Sequence, residues 1–264
     1  MFWYEGRLIE KDTLELDIND PALLYGATAF TTMRVYHQSL DYPLTNWQAH
    51  CHRLKDSLQA FGWQMPDWDR LRRGAEVLVA SFPVLRMVIF TDGRELILGR
   101  FLPADLRERQ TKGIVAWVAN GLLFRRELPR YKTGNYLGAW LALQKARWLG
   151  AQEAILIDGD GNWLETNTGN LWGYKDGSWW IPSLAGGILP GIIRSQLMSY
   201  LQNKQIPVQE NTWTVDFVRS LEAIAYTNCV MEIIPFHRVF THQGNLTVNP
   251  THPALEPLRS YFQN

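Results

Sequence analysis

The 264-residue chain has only two cysteines, Cys51 and Cys229, and they form neither a C-x-x-C pair nor a zinc spacing. A disulfide scaffold and a zinc finger are therefore excluded. It has no surplus of either charge, with 26 Lys plus Arg against 26 Asp plus Glu, so it lacks the bulk electrostatic footprint of a nucleic-acid binder. No apolar run reaches the roughly 18–20 residues of a membrane span. Met1–Arg7 lacks the charged and then apolar layout of a signal peptide. Neither a G-x-G-x-x-G fingerprint nor a Walker A sequence is present. What is there is 46% apolar and 20% charged residues, enough to bury a sizeable core. These features predict a soluble, reduced, cytoplasmic protein with no nucleic-acid or membrane partner. The twelve tryptophans follow no fixed period and are expected to pack cores and interfaces.

The hydrophobic pattern switches between period 2 and period 3.6. Strands are expected around Phe2–Ile9, Ala29–Tyr36, Leu85–Phe90, Glu95–Phe101, Ile114–Val118, Ala154–Ile157 and Asn170–Tyr174. Asp92-Gly93 and Asp176-Gly177 fall between such runs and signal hairpins. Hairpins imply antiparallel pairing and disfavour a doubly wound sheet. Helices are expected over Asn46–Phe61, Asp67–Phe82, Tyr136–Leu149 and Ile192–Gln202. In the third, Leu137, Leu141, Lys145 and Trp148 recur at helical spacing. The polar stretch Ala104–Gly113 reads as a linker. The fold class is thus α+β, with a small N-terminal α+β domain over 1–108 and a larger β-rich domain over 109–264.

Four elements could carry chemistry. Pro182–Arg194 is turn-rich and then helical, with Pro190-Gly191 at the start, and offers unpaired N–H groups of Ile192 and Ile193 to an anion. Arg53, in His50-Cys51-His52-Arg53-Leu54, has the planar fork that suits phosphate. His50 and His52 are two apart and share no helix face, so no metal site is expected. Lys132 stands just before a helix, where functional side chains are often displayed. From Arg86 to Lys132, ten basic residues face five acidic ones, a local bias toward anionic ligands. Glu165 follows the Asp158–Gly161 turn at a strand position, where its carboxylate could hydrogen-bond a protonated ring nitrogen.

In this order the motifs H-x-x-R-L (His50–Leu54), K-x-x-N (Lys132–Asn135), E-x-x-x-x-N-L (Glu165–Leu171) and G-I-L-P-G-I-x-R (Gly187–Arg194) resemble the fold-type IV pyridoxal-phosphate enzymes, the class IV aminotransferase family. The resemblance runs from Tyr25-Gly26 to Met231–Pro235. It implies a small α+β domain, a larger pseudo-β-barrel domain with the cofactor between them, and a homodimer acting on a small-molecule substrate. It also implies that Lys132 holds pyridoxal 5'-phosphate as a Schiff base and that Glu165 partners the pyridine nitrogen. Arg53, with the amides of Ile192 and Ile193, would bind the phosphate. Asn170, Asn228 and Cys229 would line the cofactor side, and Tyr25 the substrate side.

Phe30-Thr31-Thr32-Met33-Arg34 is similar to the F-T-T-x-R of the 4-amino-4-deoxychorismate lyase branch, and Asn228 and Ile193 agree with it. Gly26-Ala27-Thr28 and Glu232 depart from that branch. The implied activity is cleavage of 4-amino-4-deoxychorismate to 4-aminobenzoate and pyruvate, a step of folate biosynthesis. Lys132 would be its base, Thr32 would lie near the leaving group, and Arg94 or Arg100 would hold carboxylates. The alternative is a branched-chain or D-amino acid aminotransferase.

Overall fold

A computed structural model describes residues 1–263, which divide into two compact units. The first is Met1–Pro103 with Tyr131–Tyr136, and the second is Ala104–Arg130 with the described residues from Leu137 onward.

The first unit contains β1 (Phe2–Tyr4), β2 (Arg7–Ile9), α1 (Pro21–Tyr25), β3 (Thr28–Arg34), α2 (Trp47–Phe61), α3 (Trp68–Val79), β4 (Val84–Phe90) and β5 (Glu95–Arg100). Its sheet has the order β2-β1-β5-β4-β3, antiparallel throughout. The run Phe2–Ile9 is two strands rather than one, because Glu5 and Gly6 take positive φ and turn the chain back. Asp92-Gly93 makes the expected β4–β5 hairpin. Gly62, at φ 66°, ends α2 where the pattern stops. Strand side chains alternate between faces. Ala29, Met33, Leu85, Met87, Ile89 and Ile97 pack with Leu54, Leu58, Leu71 and Leu78 of the helices into one buried core. Phe30, Thr32 and Arg34 point to the opposite face, beside Val88, Arg86 and Val84 of the partner strand.

Residues 131–136 join this unit as a short extra edge. Phe30 N–H donates to Lys132 O at 2.8 Å, Gly134 N–H donates to Thr28 O at 2.7 Å, and Ala29 bridges Thr133. The backbones approach so closely that a Cβ on Gly134 would lie 2.4 Å from Thr28 Oγ1 and 2.6 Å from Gly26 O, which explains the glycine inside the K-x-x-N motif.

The second unit begins with α4 (Leu106–Lys112), so Ala104–Gly113 is not a linker and a boundary at 108 would cut a helix. Its charges form the solvated side of that helix, with Lys112 paired to Glu108 at 3.0 Å and Leu106 buried. β6 (Ile114–Ala119), α5 (Leu137–Trp148), β7 (Glu153–Ile157), β8 (Trp163–Thr166), β9 (Asn170–Lys175), β10 (Ser178–Pro182) and α6 (Ile192–Asn203) follow. Then come β11 (Val208–Asn211), α7 (Val215–Arg219), β12 (Ala223–Asn228), β13 (Glu232–Thr241), β14 (Gly244–Thr247) and α8 (Leu255–Ser260). Strands β9-β12-β13-β6-β7-β8 pair in that order, and β8 pairs β9 again, closing a six-stranded barrel. Closure removes the exposed sheet edges. The β9–β10 hairpin sits at Asp176-Gly177 as expected, but β6 pairs both β7 and β13 in parallel. A core of Trp172, Trp179, Ile181, Ile193, Leu197, Leu201 and Leu255 packs α6 and α8 onto the strands. In α5 the buried face is Ala139, Ala142 and Ala146, while Leu137, Trp140 and Trp148 are exposed. The large apolar residues of that helix therefore do not form its core stripe. No helix among the described residues is long and apolar enough to cross a membrane.

Candidate active site

In the first unit, α2 and β3 bring Arg53 and His50 to Thr31. Helical spacing of three places His50 and Arg53 on one side of α2, and strand parity turns Thr31 toward them. Thr31 Oγ1 lies 2.6 Å from His50 Nδ1 and accepts a hydrogen bond from Arg53 Nη2. Thr31 and His50 are fully buried. Burial, then the charges of Arg53 and Lys132, hold the His50 pKa well below its usual value.

On the other face of the same sheet, Lys132 Nζ lies 4.9 Å from the centroid of the Phe30 ring and 5.4 Å from that of Tyr136. The Arg86 guanidinium stacks on Phe30 at 3.6 Å, a favourable cation–π arrangement. Thr32 is directly opposite Arg86 in the β3–β4 register, so its hydroxyl belongs to this face. Burial and the nearby Arg100 lower the Arg86 pKa to about 10. No acidic side chain pairs with Arg86 or Arg100 among the described residues. Two cations, Arg86 and Lys132, thus lie over one aromatic ring, with Arg100 near Arg86.

Arg94 is elsewhere. Its guanidinium is held by Asp20 at 2.6 Å, Asp92 at 2.7 Å and Tyr4 Oη at 2.9 Å. That network ties the β4–β5 turn to the residue that caps α1, so the guanidinium expected to meet substrate carboxylates already meets two protein carboxylates. Tyr25 ends α1 with its ring 75% exposed.

In the second unit, Glu165 on β8 faces Asn170 on β9, and both are buried. Together they clamp one residue: Leu189 N–H donates to Glu165 Oε2 at 3.1 Å, and Asn170 Nδ2 donates to Leu189 O at 2.8 Å. Glu165 Oε1 also accepts from the buried Arg126. The clamp fixes the approach to α6, where Gly191 is the N-cap and supplies no side-chain cap to the first turn at Ile192 and Ile193. A Cβ on Gly191 would lie 2.0 Å from Asn170 Oδ1.

The loop between β8 and β9 is pinned from behind. Buried Glu153 accepts from Thr168 N at 3.1 Å and from Thr168 Oγ1 at 3.0 Å, while Asn167 Oδ1 accepts from Ala154 N at 2.8 Å. Asn228 Oδ1 caps the turn after β12 by accepting from Val230 N at 2.9 Å and Met231 N at 2.7 Å. Its Nδ2 faces Thr168 Oγ1 at 3.4 Å. Cys229 is half-buried against the α6 and α8 core. Glu232 takes φ 62° and accepts from Gln110 Nε2 at 3.0 Å.

Sequence reading missed Arg86, Thr31, Arg126 and Glu153. Parity from Thr32 across a hairpin of known register would have found Arg86. Nothing local marks Arg126, whose partner lies 39 residues away.

These residues test whether the chain suits pyridoxal phosphate. The first unit offers an amine, an arginine fork and unneutralised cations. The second offers a buried carboxylate and a helix start whose N-cap glycine cannot carry a Cβ. Such a donor set fits a ring nitrogen, an aldehyde and a phosphate.

Comparisons with known proteins agree. The profile of the family described as Amino-transferase class IV matches residues 28–239. The chain is 23% identical over 265 residues to the branched-chain-amino-acid aminotransferase of Escherichia coli K12, covering 90% of this chain and 84% of that one. It is 25% identical to the D-alanine aminotransferase of Listeria monocytogenes, covering 97% and 93%. Its fold matches a solved structure from Legionella pneumophila, provisionally assigned as a 4-amino-4-deoxychorismate lyase, at TM-score 0.82 and 21% identity over 96% of both chains.

Proposed function

The chain belongs to the class IV aminotransferase family of pyridoxal-phosphate enzymes, and from that premise we propose that it is a lyase converting 4-amino-4-deoxychorismate to 4-aminobenzoate and pyruvate. One observation carries the choice: Thr32, Arg86 and Lys132 share one sheet face around Phe30. A lyase must deliver a proton to a departing group, which a transaminase need not do, and a hydroxyl on the lysine's own face suits that task.

When bound, the cofactor supplies an electron sink to the amine-bearing carbon of the substrate. Lys132 would hold it, Arg53 and the first amides of α6 at Ile192 and Ile193 would bind its phosphate, and Glu165 would hold the proton on its ring nitrogen. Asn170, Asn228 and Cys229 would line it. In the reaction Lys132 removes the ring proton at the amine-bearing carbon. Thr32 gives a proton to the enolpyruvyl group as its C–O bond breaks, so one proton leaves and one is delivered. Arg86 and Arg100 hold the substrate's two carboxylates, which removes their mutual repulsion.

A second reading, an amino-acid transaminase, is supported by the curated relatives of that activity at 23–25% identity. Supplying 4-amino-4-deoxychorismate to the holoenzyme is expected to yield 4-aminobenzoate and pyruvate in equal amounts. Glutamate formation from an amino acid and 2-oxoglutarate, without 4-aminobenzoate from the first substrate, overturns the lyase reading. We also propose a homodimer, supported by the apolar surface at Leu122, Leu123, Leu137, Trp140 and Trp148 and tested by light scattering.

A further inference from the structure

One arrangement of protons leaves the fewest unused groups in the Thr31–His50–Arg53 cluster. Arginine has only donors, so Arg53 Nη2 donates to Thr31 Oγ1. The proton of that hydroxyl then goes to the other polar atom in reach, His50 Nδ1 at 2.6 Å. In that arrangement Nδ1 carries a lone pair and the hydroxyl proton is used. The same assignment suits Arg53 Nη2, which lies 3.5 Å from Nδ1, where a second N–H would face it badly. The ring proton sits on Nε2, which is buried and has no hydrogen-bond partner. A protonated His50 would lose its only acceptor and set another positive charge beside Arg53 and Lys132.

On the reading that Arg53 binds the cofactor's phosphate, we propose that Thr31 and a neutral, Nε2-protonated His50 are positioning residues: an uncharged brace that fixes the Arg53 guanidinium for a phosphate monoester. A carboxylate in place of Thr31 would hold the guanidinium as firmly but would cancel its charge. The hydroxyl and the neutral ring orient it and add no negative charge. Their burial also keeps water from competing for the guanidinium's inner N–H groups.

The test compares two probes on the apo-protein: pyridoxal phosphate, and pyridoxal, which has the same aldehyde and no phosphate. Thr31→Val keeps the shape and removes the hydroxyl. It is expected to weaken pyridoxal phosphate about tenfold, the scale of one hydrogen bond to a charged group, and pyridoxal by less than about twofold. Thr31→Ser, which keeps the hydroxyl, should restore the wild-type ratio. Nitrogen NMR of His50 should show a lone pair on Nδ1 and a proton on Nε2. Equal losses for both probes, no rescue by serine, or an Nδ1-protonated ring each overturn the brace. Arg53→Gln separates the two levels. If it leaves the ratio of the two affinities unchanged, Arg53 is not the phosphate ligand. If it abolishes the phosphate preference while Thr31→Val preserves it, the brace alone is wrong.

Discussion

Glu153→Gln tests the energetics of the second unit most directly. Glu153 is 4% exposed at the start of β7 and accepts two hydrogen bonds from Thr168. Tyr226, equally buried on β12, and Arg109 from α4 also face it. Burial raises its pKa from 4.5 to about 7, against the opposing pull of the Thr168 and Thr166 hydrogen bonds and of Arg109. The folded state therefore keeps a proton that the unfolded state gives up between pH 4.5 and 7. Below that window both states are protonated and nothing is lost. Above it, stability has fallen by about 3 kcal/mol, taking roughly 1.4 kcal/mol for each tenfold difference in proton affinity between the two states. Glutamine accepts the same Thr168 bonds and does not titrate. In urea melts of the apo-protein, Glu153→Gln should match the wild type near pH 4.5 and exceed it by about 3 kcal/mol at pH 8.5. Every other titrating group is common to both proteins and cancels. Stability profiles that run parallel across that range refute the reasoning.

Lys132→Ala should abolish activity and also the visible absorbance of the protein after incubation with pyridoxal phosphate; a retained band would move the covalent role elsewhere. Arg86→Ala should raise KM for the dicarboxylate substrate at least about tenfold while stability changes by about 1 kcal/mol, the scale of one cation–π contact. Arg94→Ala should do the reverse, leaving KM unchanged and costing about 3 kcal/mol by stranding the buried Asp20 carboxylate. Gly191→Ala should weaken pyridoxal phosphate and lower the melting temperature, because its new methyl group overlaps Asn170. A variant that binds the cofactor normally would show that the start of α6 is not so tightly held.

Local signals carried the reading as far as local physics reaches. Asp92-Gly93 and Asp176-Gly177 form the two hairpins because their turn chemistry is contained in two residues. Gly62 and Pro190-Gly191 bound their helices for similar reasons. Two of the four motifs fall on element ends, Glu165–Leu171 across the β8–β9 turn and Gly187–Arg194 at the start of α6. What was not legible depends on distant partners. Arg94 reads as a candidate substrate-carboxylate ligand until Asp20, 74 positions earlier, is brought against it. The apolar residues of α5 suggest a core stripe, whereas alanines let the helix lie close to β7 and the bulky residues face outward. The parallel pairing of β6 with β7 and β13 leaves no mark in turn sequences, since both links are long crossovers. Arg86 needed the register of β3 against β4 before its neighbourhood could be named.

Because residues 131–136 return to the first unit while the chain on either side of them builds the second, the peptide crosses from one unit to the other three times. Any single cut that keeps the first sheet together with Lys132 also carries residues 104–130 of the second unit. The lysine's station is set by hydrogen bonds to the strand that presents Phe30 and Thr32, so the proposed base and the proposed proton donor are held by one sheet. Recombination that exchanged the N-terminal hundred residues for a relative's would replace the strand and leave behind the segment fitted to it. The glycine at 134, with no room for even a methyl group, lets that segment accept only a strand that approaches as closely as β3 does.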